Sequence, residues 1–297
     1  DALRYSQINV QGTARSGAMG NAFGALGGAF TSVSINPAGL GLYRSGEFTI
    51  TPKSSHTKME STYWGNTTED TDYKFTLSNI SYVSAIPTGA TSEAGIVSIN
   101  LGIGYNRIKD FNSNSFVAGN GIDGSYMDYI ADNANAGIWS DFYEELAWNT
   151  DMLIYDENND EYWHDLQDGG YGQNQIKSVS KSGSIDEYSF ALALNFNHKF
   201  YLGASWGISD VYYRESTQLY ENDAQGNIDY FNNFTFNSYL RTNGYGHNFK
   251  FGGIYKPINE VRLGISIQTP TFYRLHDYFE TSMQSSITYD DGSESYN

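Results

Sequence analysis

The residue types that most often carry catalysis or bind metals are sparse in this chain of 297 residues. Cysteine is absent, which removes disulfides, thiolate metal sites and cysteine nucleophiles. The five histidines lack the short spacing of zinc or haem ligands, and no short motif joins a serine or aspartate nucleophile to one of them. The sequence therefore predicts a protein that is not an enzyme and that uses no metal or cofactor. The histidines are His56, His164, His198, His247 and His276.

One acidic segment, 156–161, reads Asp-Glu-Asn-Asn-Asp-Glu and partly matches the ligand spacing of a calcium loop. The glycine of such a loop is missing, and no terminal glutamate is correctly placed. A solvated acidic loop is the preferred interpretation, and a weak cation site is the alternative. The net charge of -17 argues against nucleic acid as a partner, because phosphate binding needs clustered lysine and arginine.

Strand-like alternation is the main structural signal in the sequence. Segment 97–106 places apolar residues at every second position, with small or polar residues between them. Segments 189–196 and 202–209 alternate in the same way, and the short connection 197–199 predicts that they form an antiparallel hairpin. A second hairpin is predicted between 244–256 and 260–269.

The composition favours a transmembrane antiparallel β-barrel, an all-β fold. Aromatic residues make up 16% of the chain, and no run approaches the ~20 apolar residues of a helical membrane span. Only helices and closed barrels satisfy their backbone hydrogen bonds in hydrocarbon, so a membrane protein of this sequence would be a barrel. A soluble β-sandwich or lipocalin-like barrel is the alternative. The polar face of the strands consists mostly of Gly, Ser, Ala and Asn, which indicates a crowded or wet lumen rather than bulk solvent.

About eight strands are visible, and the barrel is predicted to occupy residues 46–297. Its connections alternate between short ones, predicted at 87–93, 197–199 and 257–259, and long ones. In outer-membrane barrels the periplasmic turns are short and the extracellular loops long. The long loops are predicted at 59–71, 110–183 and 215–243.

Residues 1–45 do not alternate and are rich in Gly and Ala, which permit close backbone approach. Phe23, Leu26 and Phe30 are residues of the type found in interiors, so this segment is interpreted as a plug packed inside the lumen. A flexible leader is the alternative. The chain opens without a signal sequence, as expected if a signal peptide has been removed.

The plug region contains a specific combination of motifs. Met19-Gly20-Asn21-Ala22-Phe23 is followed by Asn36-Pro37-Ala38-Gly39-Leu40, and a strand begins near Gly46. This arrangement, clearest in residues 1–110, resembles the amino-terminal hatch of the FadL-type outer-membrane transporters for long-chain fatty acids and other hydrophobic compounds. The resemblance implies a bacterial outer membrane and a fourteen-stranded barrel plugged by a hatch. More strands than the visible eight are then expected beyond residue 297.

The resemblance also implies passive uptake of a hydrophobic small molecule or lipid by a protein embedded in outer-membrane lipids. Phe23, Leu26 and Phe30 would then contact the ligand in the lumen. The ligand would leave sideways beside a kinked strand, which 94–109 matches. Gly95, Gly102 and Gly104 would allow that kink. Filling of the lumen is an equally weighted explanation for these glycines.

Segment 110–183 has apolar residues at three- and four-residue spacing, which predicts one or two amphipathic helices broken near Gly137. In the FadL family a helical outer loop captures the ligand. The resemblance makes five residues candidates for that groove, although packing on neighbouring loops would explain each of them. They are Trp139, Phe142, Tyr143, Leu146 and Trp148.

The alternative function is a non-transporting subunit or scaffold of an outer-membrane secretion or assembly complex, with other envelope proteins as partners. Transport predicts a continuous apolar cavity behind Phe23, Leu26 and Phe30. A scaffold predicts a filled lumen.

Overall fold

The computed structural model describes residues 2–7, 10–89, 95–289 and 294–296 of the chain. Antiparallel strands dominate these ranges, and the helices between them are short. Within the same ranges, no helix combines the length and the apolar character needed to cross a membrane.

The strands are β1 (Glu47–Tyr63), β2 (Asn66–Pro87), β3 (Ile96–Asp110), β4 (Ser113–Gly119), β5 (Ile154–Asp156), β6 (Glu161–Trp163), β7 (Asn174–Phe196), β8 (Phe200–Asn222), β9 (Phe231–Ile258), β10 (Val261–Gln268), β11 (Phe272–Thr288) and β12 (Glu294–Tyr296). The α-helices are α1 (Ala2–Ser6), α2 (Ala14–Ala18), α3 (Tyr126–Asn135), α4 (Glu144–Asn149) and α5 (Asp165–Asp168). Two 3₁₀ helices lie at Phe30–Ser34 and Pro37–Leu42.

Ten of the described strands form one curled antiparallel sheet, which we call the wall. Its order is β1-β2-β3-β7-β8-β9-β11-β12, with β4 beside β7 and β10 beside β9. Strands β5 and β6 form a separate hairpin. The prediction of an all-β antiparallel architecture is confirmed, with ten wall strands among the described residues instead of about eight. The fourteen strands implied by the family resemblance are not confirmed.

Both predicted hairpins are present. Strands β7 and β8 pair from Phe196↔Phe200 onward, and Asn197 and His198 turn the chain with φ angles of 54° each. Two residues in the left-handed region are typical of the type I′ turn, whose twist matches that of the strands. Strands β9 and β10 pair from Ile258↔Val261 across a two-residue turn.

Two of the predicted long loops are wrong. Residues 59–71 continue β1 and β2 around a tight turn at Trp64 and Gly65, and only 223–230 of the predicted loop 215–243 lies outside strands. In 59–71 the hydrogen-bonded ladder continues although most side chains are polar, and in 231–243 it continues where apolar side chains such as Phe234 and Phe236 are buried. The short connection predicted at 87–93 falls partly on residues 90–94, which lie outside the described residues.

The predicted loop 110–183 is also structured, because it contains β4, the start of β7 and a small folded unit at 122–172 that we call the cap. The cap holds α3, α4, the β5–β6 hairpin and α5. The predicted helices are present, and the chain breaks between them at Gly137, whose φ angle is 75°. The cap core includes Met127, Ile130, Leu153 and Leu166 and is completed by side chains from the ends of β9 and β11, namely Phe231, Phe234, Phe236, Met283 and Ile287.

The two faces of the wall differ in an unusual way. Large apolar side chains are exposed on the outer face, among them Leu192, Phe251 and Ile265, whereas small and polar residues such as Asn100 and Ser189 are buried on the inner face. Residues 10–45, which we call the inner segment, cover that inner face with both 3₁₀ helices. The wall therefore buries its polar face within the molecule and leaves its apolar face outside.

Candidate functional site

The candidate site is the seam where the inner segment meets the wall. Phe30, Leu40 and Tyr43 pack there in one buried cluster with Val83 and Ala193 of the wall. Asn100 of β3 adds polar contacts, because its side-chain amide donates to the backbone carbonyls of Leu40 (2.7 Å) and Tyr43 (3.0 Å). Backbone carbonyls of the segment are thus paired directly with a wall side chain.

Asn36 connects the inner segment to the wall most closely. Its side chain is fully buried, and its Nδ2 donates to the carbonyl of Gly24 at 2.6 Å. The same nitrogen lies 3.3 Å from the carbonyls of Gly253 on β9 and Ile265 on β10. Its Oδ1 accepts from the backbone N–H of Ala38 at 3.1 Å and so caps the second 3₁₀ helix.

The other residues of the predicted hatch motif explain why the seam needs small side chains. Pro37 begins the 3₁₀ helix, and Ala38 and Leu40 are fully buried. A Cβ added to Gly203 of β8 would overlap the backbone of Pro37, and one on Gly252 of β9 would overlap Asn36. The glycines on the polar face of these strands therefore let the two backbones meet.

The three residues predicted to face a ligand in the lumen do not share one environment. Phe23 and Phe30 have no exposed surface, and the Arg15 guanidinium lies 5.8 Å from the Phe23 ring centre. Leu26 is half-buried, and its backbone carbonyl accepts from Arg262 at 2.8 Å. Neither phenylalanine borders open space in this conformation.

Of the three glycines proposed to kink the strand, only Gly95 lies beside an irregularity of β3. Strand β3 pairs without a break across Gly102 and Gly104, and its register shifts occur at Ile96/Ser98 and Arg107/Lys109. A Cβ on Gly104 would lie 2.5 Å from the Phe30 ring. These two glycines thus make room for Phe30, while Gly95 precedes the strand with a φ angle of 98°.

A buried charged cluster lies on the inner face beside the seam. Lys250 Nζ contacts Glu187 Oε2 at 2.6 Å, and both side chains are 4% exposed. The carboxylate also accepts from Ser34 of the inner segment (3.0 Å) and from Asn248 (3.1 Å). Asn106 Nδ2 in turn donates to Ser34 Oγ at 3.0 Å. The sequence analysis missed this cluster, although a charged residue between Phe249 and Phe251 was its visible signal.

The cap separates the five residues predicted to capture a ligand. Trp139, Phe142 and Trp148 are exposed, whereas Tyr143 and Leu146 are half-buried and pack against the cap core. The ring centres of Trp139 and Trp148 lie 6.5 Å apart, but that of Phe142 lies 5.2 Å from Phe279 of β11. The five residues therefore do not share one exposed surface, because Tyr143 and Leu146 turn toward the cap core, and their role in ligand capture stays a prediction.

A buried carboxylate of the wall binds the cap, and a buried histidine makes a contact within the cap. Glu221 at the end of β8 is fully buried and accepts from the Tyr126 N–H at 2.9 Å and the Ser125 hydroxyl at 2.7 Å. Burial raises the pKa of Glu221 despite these donors. His164 is also buried and lies 2.9 Å from Asp128, and burial lowers the pKa of its imidazole.

The acidic segment 156–161 forms the turn of the β5–β6 hairpin. Asp156 accepts from the N–H of Asn158 at 2.8 Å and from the side chain of Asn159 at 2.7 Å. The Asp156 carboxylate thus organises its own turn. In the described ranges no group of three or more His, Asp or Glu side chains is arranged to hold a metal ion.

Comparison with known proteins adds little to this geometry. No protein-family model matches the chain, and no curated protein matches it. Two mutants of Rh. blastica porin were found among solved structures. One is 10% identical, with 80% of this chain and 99% of the porin chain covered and a TM-score of 0.14. The other is 11% identical, with 79% and 100% covered and a TM-score of 0.12. Scores this low do not establish a shared fold.

Proposed function

We propose that the chain forms the wall and hatch of a bacterial outer-membrane β-barrel, a channel for passive uptake of hydrophobic small molecules such as long-chain fatty acids. The observation that carries the membrane assignment is the exposed apolar outer face opposite a covered polar inner face. A soluble sandwich or lipocalin-like barrel turns its apolar face inward, so this arrangement opposes that alternative. Hydrocarbon is the environment in which exposed Leu192, Phe251 and Ile265 lower the free energy.

The length of the apolar outer face supports the same assignment. On β8 it runs from residue 200 to residue 208, which at about 3.3 Å per residue is roughly 26 Å along the strand. Transmembrane strands are tilted and have about 9–11 residues, a length that the nine residues of this stretch reach. Asp210 follows this stretch on β8. On the strands next in order, Arg107 of β3 contacts Asp186 of β7 at 3.0 Å. Charged residues thus begin where the band ends.

The ends of the wall are unequal, which supports an orientation. At one end the connections are short, as at 197–199 and 259–260. At the other end β8 continues to Asn222, and the cap covers the strand ends. Short turns belong to the periplasmic side of such barrels, so we place the cap outside the cell.

Passage of a ligand would require the inner segment to move. Phe23 and Phe30 are fully buried, and the described part of the chain leaves no free space at their side chains in this conformation. Burial of apolar ligand surface, at about 25 cal/mol per Å², would supply the driving force for such a displacement. The hatch assignment is supported by the resemblance of residues 1–110 to the FadL type.

The filled packing of the seam specifically favours a second function. A non-transporting barrel that serves as a scaffold needs no space behind Phe23 and Phe30, and none is left there. Such a protein would bind other envelope proteins through the cap or the wall.

A reversible lock on the seam separates the two functions. Gly41→Cys combined with Tyr201→Cys joins the inner segment to β8 at a place where a Cβ on Gly41 would lie 3.5 Å from the Tyr201 Cβ, within the range of a disulfide, in a chain that has no cysteine of its own. The measurement is uptake of a fluorescent long-chain fatty acid by cells that produce the protein, with the pair oxidised and then reduced. Transport predicts that uptake is lost on oxidation and recovers on reduction. In either single-cysteine variant, uptake should not respond to oxidation.

Uptake that equals that of cells without the protein, in both redox states, would reject transport. Stoichiometric co-purification of other envelope proteins with the unmodified chain would then support the scaffold.

A further inference from the structure

A cleft of about 620 Å³ opens on the cap, away from the seam. Its walls come from the end of α4, the β5–β6 hairpin, the start of α5, the β8–β9 loop and the residue after β11. Five aromatic side chains line it, and Leu153 and Ile287 close its base. The five are Trp148, Tyr155, Trp163, Tyr230 and Tyr289.

The charged side chains that line this cleft are all acidic. They are Asp151 and Asp165, and no lysine or arginine lines the cleft within the described part of the chain. Tyr289 donates its hydroxyl to Asp151 at 2.9 Å, which holds that carboxylate at the edge of the cleft. The cleft therefore combines aromatic faces with negative charge and offers no guanidinium or ammonium to an anion.

We propose that this cleft binds a small organic cation of the quaternary ammonium class. The face of an aromatic ring carries negative potential, so several rings around one space attract a cation whose methyl groups also lose contact with water. Asp151 and Asp165 add direct charge complementarity. A phosphate on the same ligand would face these two carboxylates, so the free cation is favoured over a phosphocholine headgroup.

A neutral sugar would use the same surface less well. A neutral sugar could stack on the rings and hydrogen-bond to the tyrosine hydroxyls, but it would gain nothing from the charge of the two carboxylates. Among the residues that the structure describes, the lining contains no amide and no guanidinium side chain. The proposal concerns the cap alone and does not depend on whether the barrel transports anything.

The site should respond to pH through Asp165. Burial, followed by repulsion from Asp168 on α5 and Asp229 in the β8–β9 loop, raises the pKa of Asp165 to about 6. Asp151 is the other acidic residue that lines the cleft. Lowering the pH from 7.5 to 5 neutralises Asp165 and removes one of the two charges that attract the ligand.

The test is titration of the whole chain, in a polyoxyethylene detergent, with choline chloride, followed by tryptophan fluorescence and calorimetry. The neutral isostere 3,3-dimethylbutanol and the zwitterion phosphocholine are titrated in parallel. We expect saturable binding of choline, at least tenfold weaker binding of the isostere, and weaker binding of phosphocholine. Dissociation constants should rise at pH 5.

Three variants assign the binding to this cleft. Trp148→Ala should weaken choline binding at least tenfold, Trp148→Phe should retain most of it, and Asp165→Asn should weaken it and remove most of the pH dependence. Trp64→Ala, at an exposed tryptophan outside the cleft, is the matched control and should bind normally.

Equal affinity for the isostere would overturn the proposal. So would binding of a methyl glycoside in place of choline, or no binding of millimolar choline by protein with a native near-ultraviolet circular dichroism spectrum. Tighter binding of phosphocholine than of choline would identify a lipid headgroup as the ligand and contradict the free-cation form.

Discussion

The seam and the cap are both buried interfaces on the same wall, but they are built in opposite ways. At the seam, glycines of the wall admit the backbone and small side chains of the inner segment, as Gly203 and Gly252 do for Pro37 and Asn36. In the cap, large side chains such as Ile130 and Leu166 interlock with rings from the wall ends. The seam has little space for larger side chains, whereas the cap is stabilised by the large side chains that it already buries.

This difference has a physical origin. A segment enclosed by a curved sheet has little volume available, so close backbone approach and directed hydrogen bonds replace bulky packing. A unit outside the sheet has no such limit and follows the ordinary rules of a hydrophobic core. Substitutions that enlarge a side chain should therefore destabilise the seam, whereas substitutions that shorten a side chain should destabilise the cap.

The largest effect is expected at the buried ion pair beside the seam. Lys250→Met leaves the Glu187 carboxylate buried without its cation, which costs about 3–5 kcal/mol of unfolding free energy. The double variant Lys250→Met with Glu187→Gln should regain most of that loss. Urea unfolding in detergent, followed by tryptophan fluorescence, measures both. A single variant as stable as the unchanged protein would show that water reaches this pair.

The next effect should be confined to the cap. Ile130 is fully buried in the cap core, and Ile130→Ala should cost about 2–5 kcal/mol through lost burial and a cavity. Limited proteolysis should then cut within 122–172 and leave the inner segment and wall intact. The exposed Ile138, changed to alanine, is the control and should not increase cutting. If the protease also cuts the inner segment of the Ile130→Ala variant, the seam and the cap unfold together.

Two adjacent glycines of β9 test the seam. A side chain on Gly252 would overlap Asn36, whereas a Cβ on Gly253 would meet Ile265 at 3.6 Å, an ordinary contact. Gly252→Val should cost roughly 1–3 kcal/mol and expose the inner segment to protease, and Gly253→Val should do neither. Equal behaviour of the two variants would contradict the close backbone contact.

The smallest effect expected is a pH dependence of the stability of the cap. Asp165 has a pKa of about 6 in the folded chain against an ordinary value of 3.8, chiefly because it is buried. The folded state therefore holds this proton more tightly, so its contribution to stability is present below about pH 4 and is lost as the pH rises through 6. Asp165→Asn should reduce the difference in cap melting temperature between pH 4.5 and pH 7.5. If the variant shows the same difference in melting temperature, titratable groups other than Asp165 cause it.

Local features of the fold were readable from the sequence. The alternation in 97–106, 189–196 and 202–209 predicts strands because side chains change face at every residue of a strand. The short turn at 197–199 was also predictable. The strands beyond the apolar band were not predictable, since 59–71 is mostly polar and the apolar residues of 231–243, such as Phe234 and Phe236, pack against the cap and not along a regular membrane face.

Part of the seam was also visible in the sequence. The small residues of alternate strand positions and the motif at 36–40 predict close packing of the inner segment. Their partners were not predictable, because Asn36 meets Gly253 and Ile265 more than 200 positions away in the chain. The shape of the cap was likewise hidden, since its core draws on Phe234 and Met283 from distant strands.

The sequence by itself determined the strand period, the tight turns and the small residues that line one face of the wall. Each of these depends on residues that are neighbours in the chain. Tertiary structure alone decided that the apolar face lies outside, that Lys250 meets Glu187, and that five aromatic rings and two carboxylates surround one cleft. Strand register and curvature bring those groups together, and both arise from pairing between segments far apart in the chain.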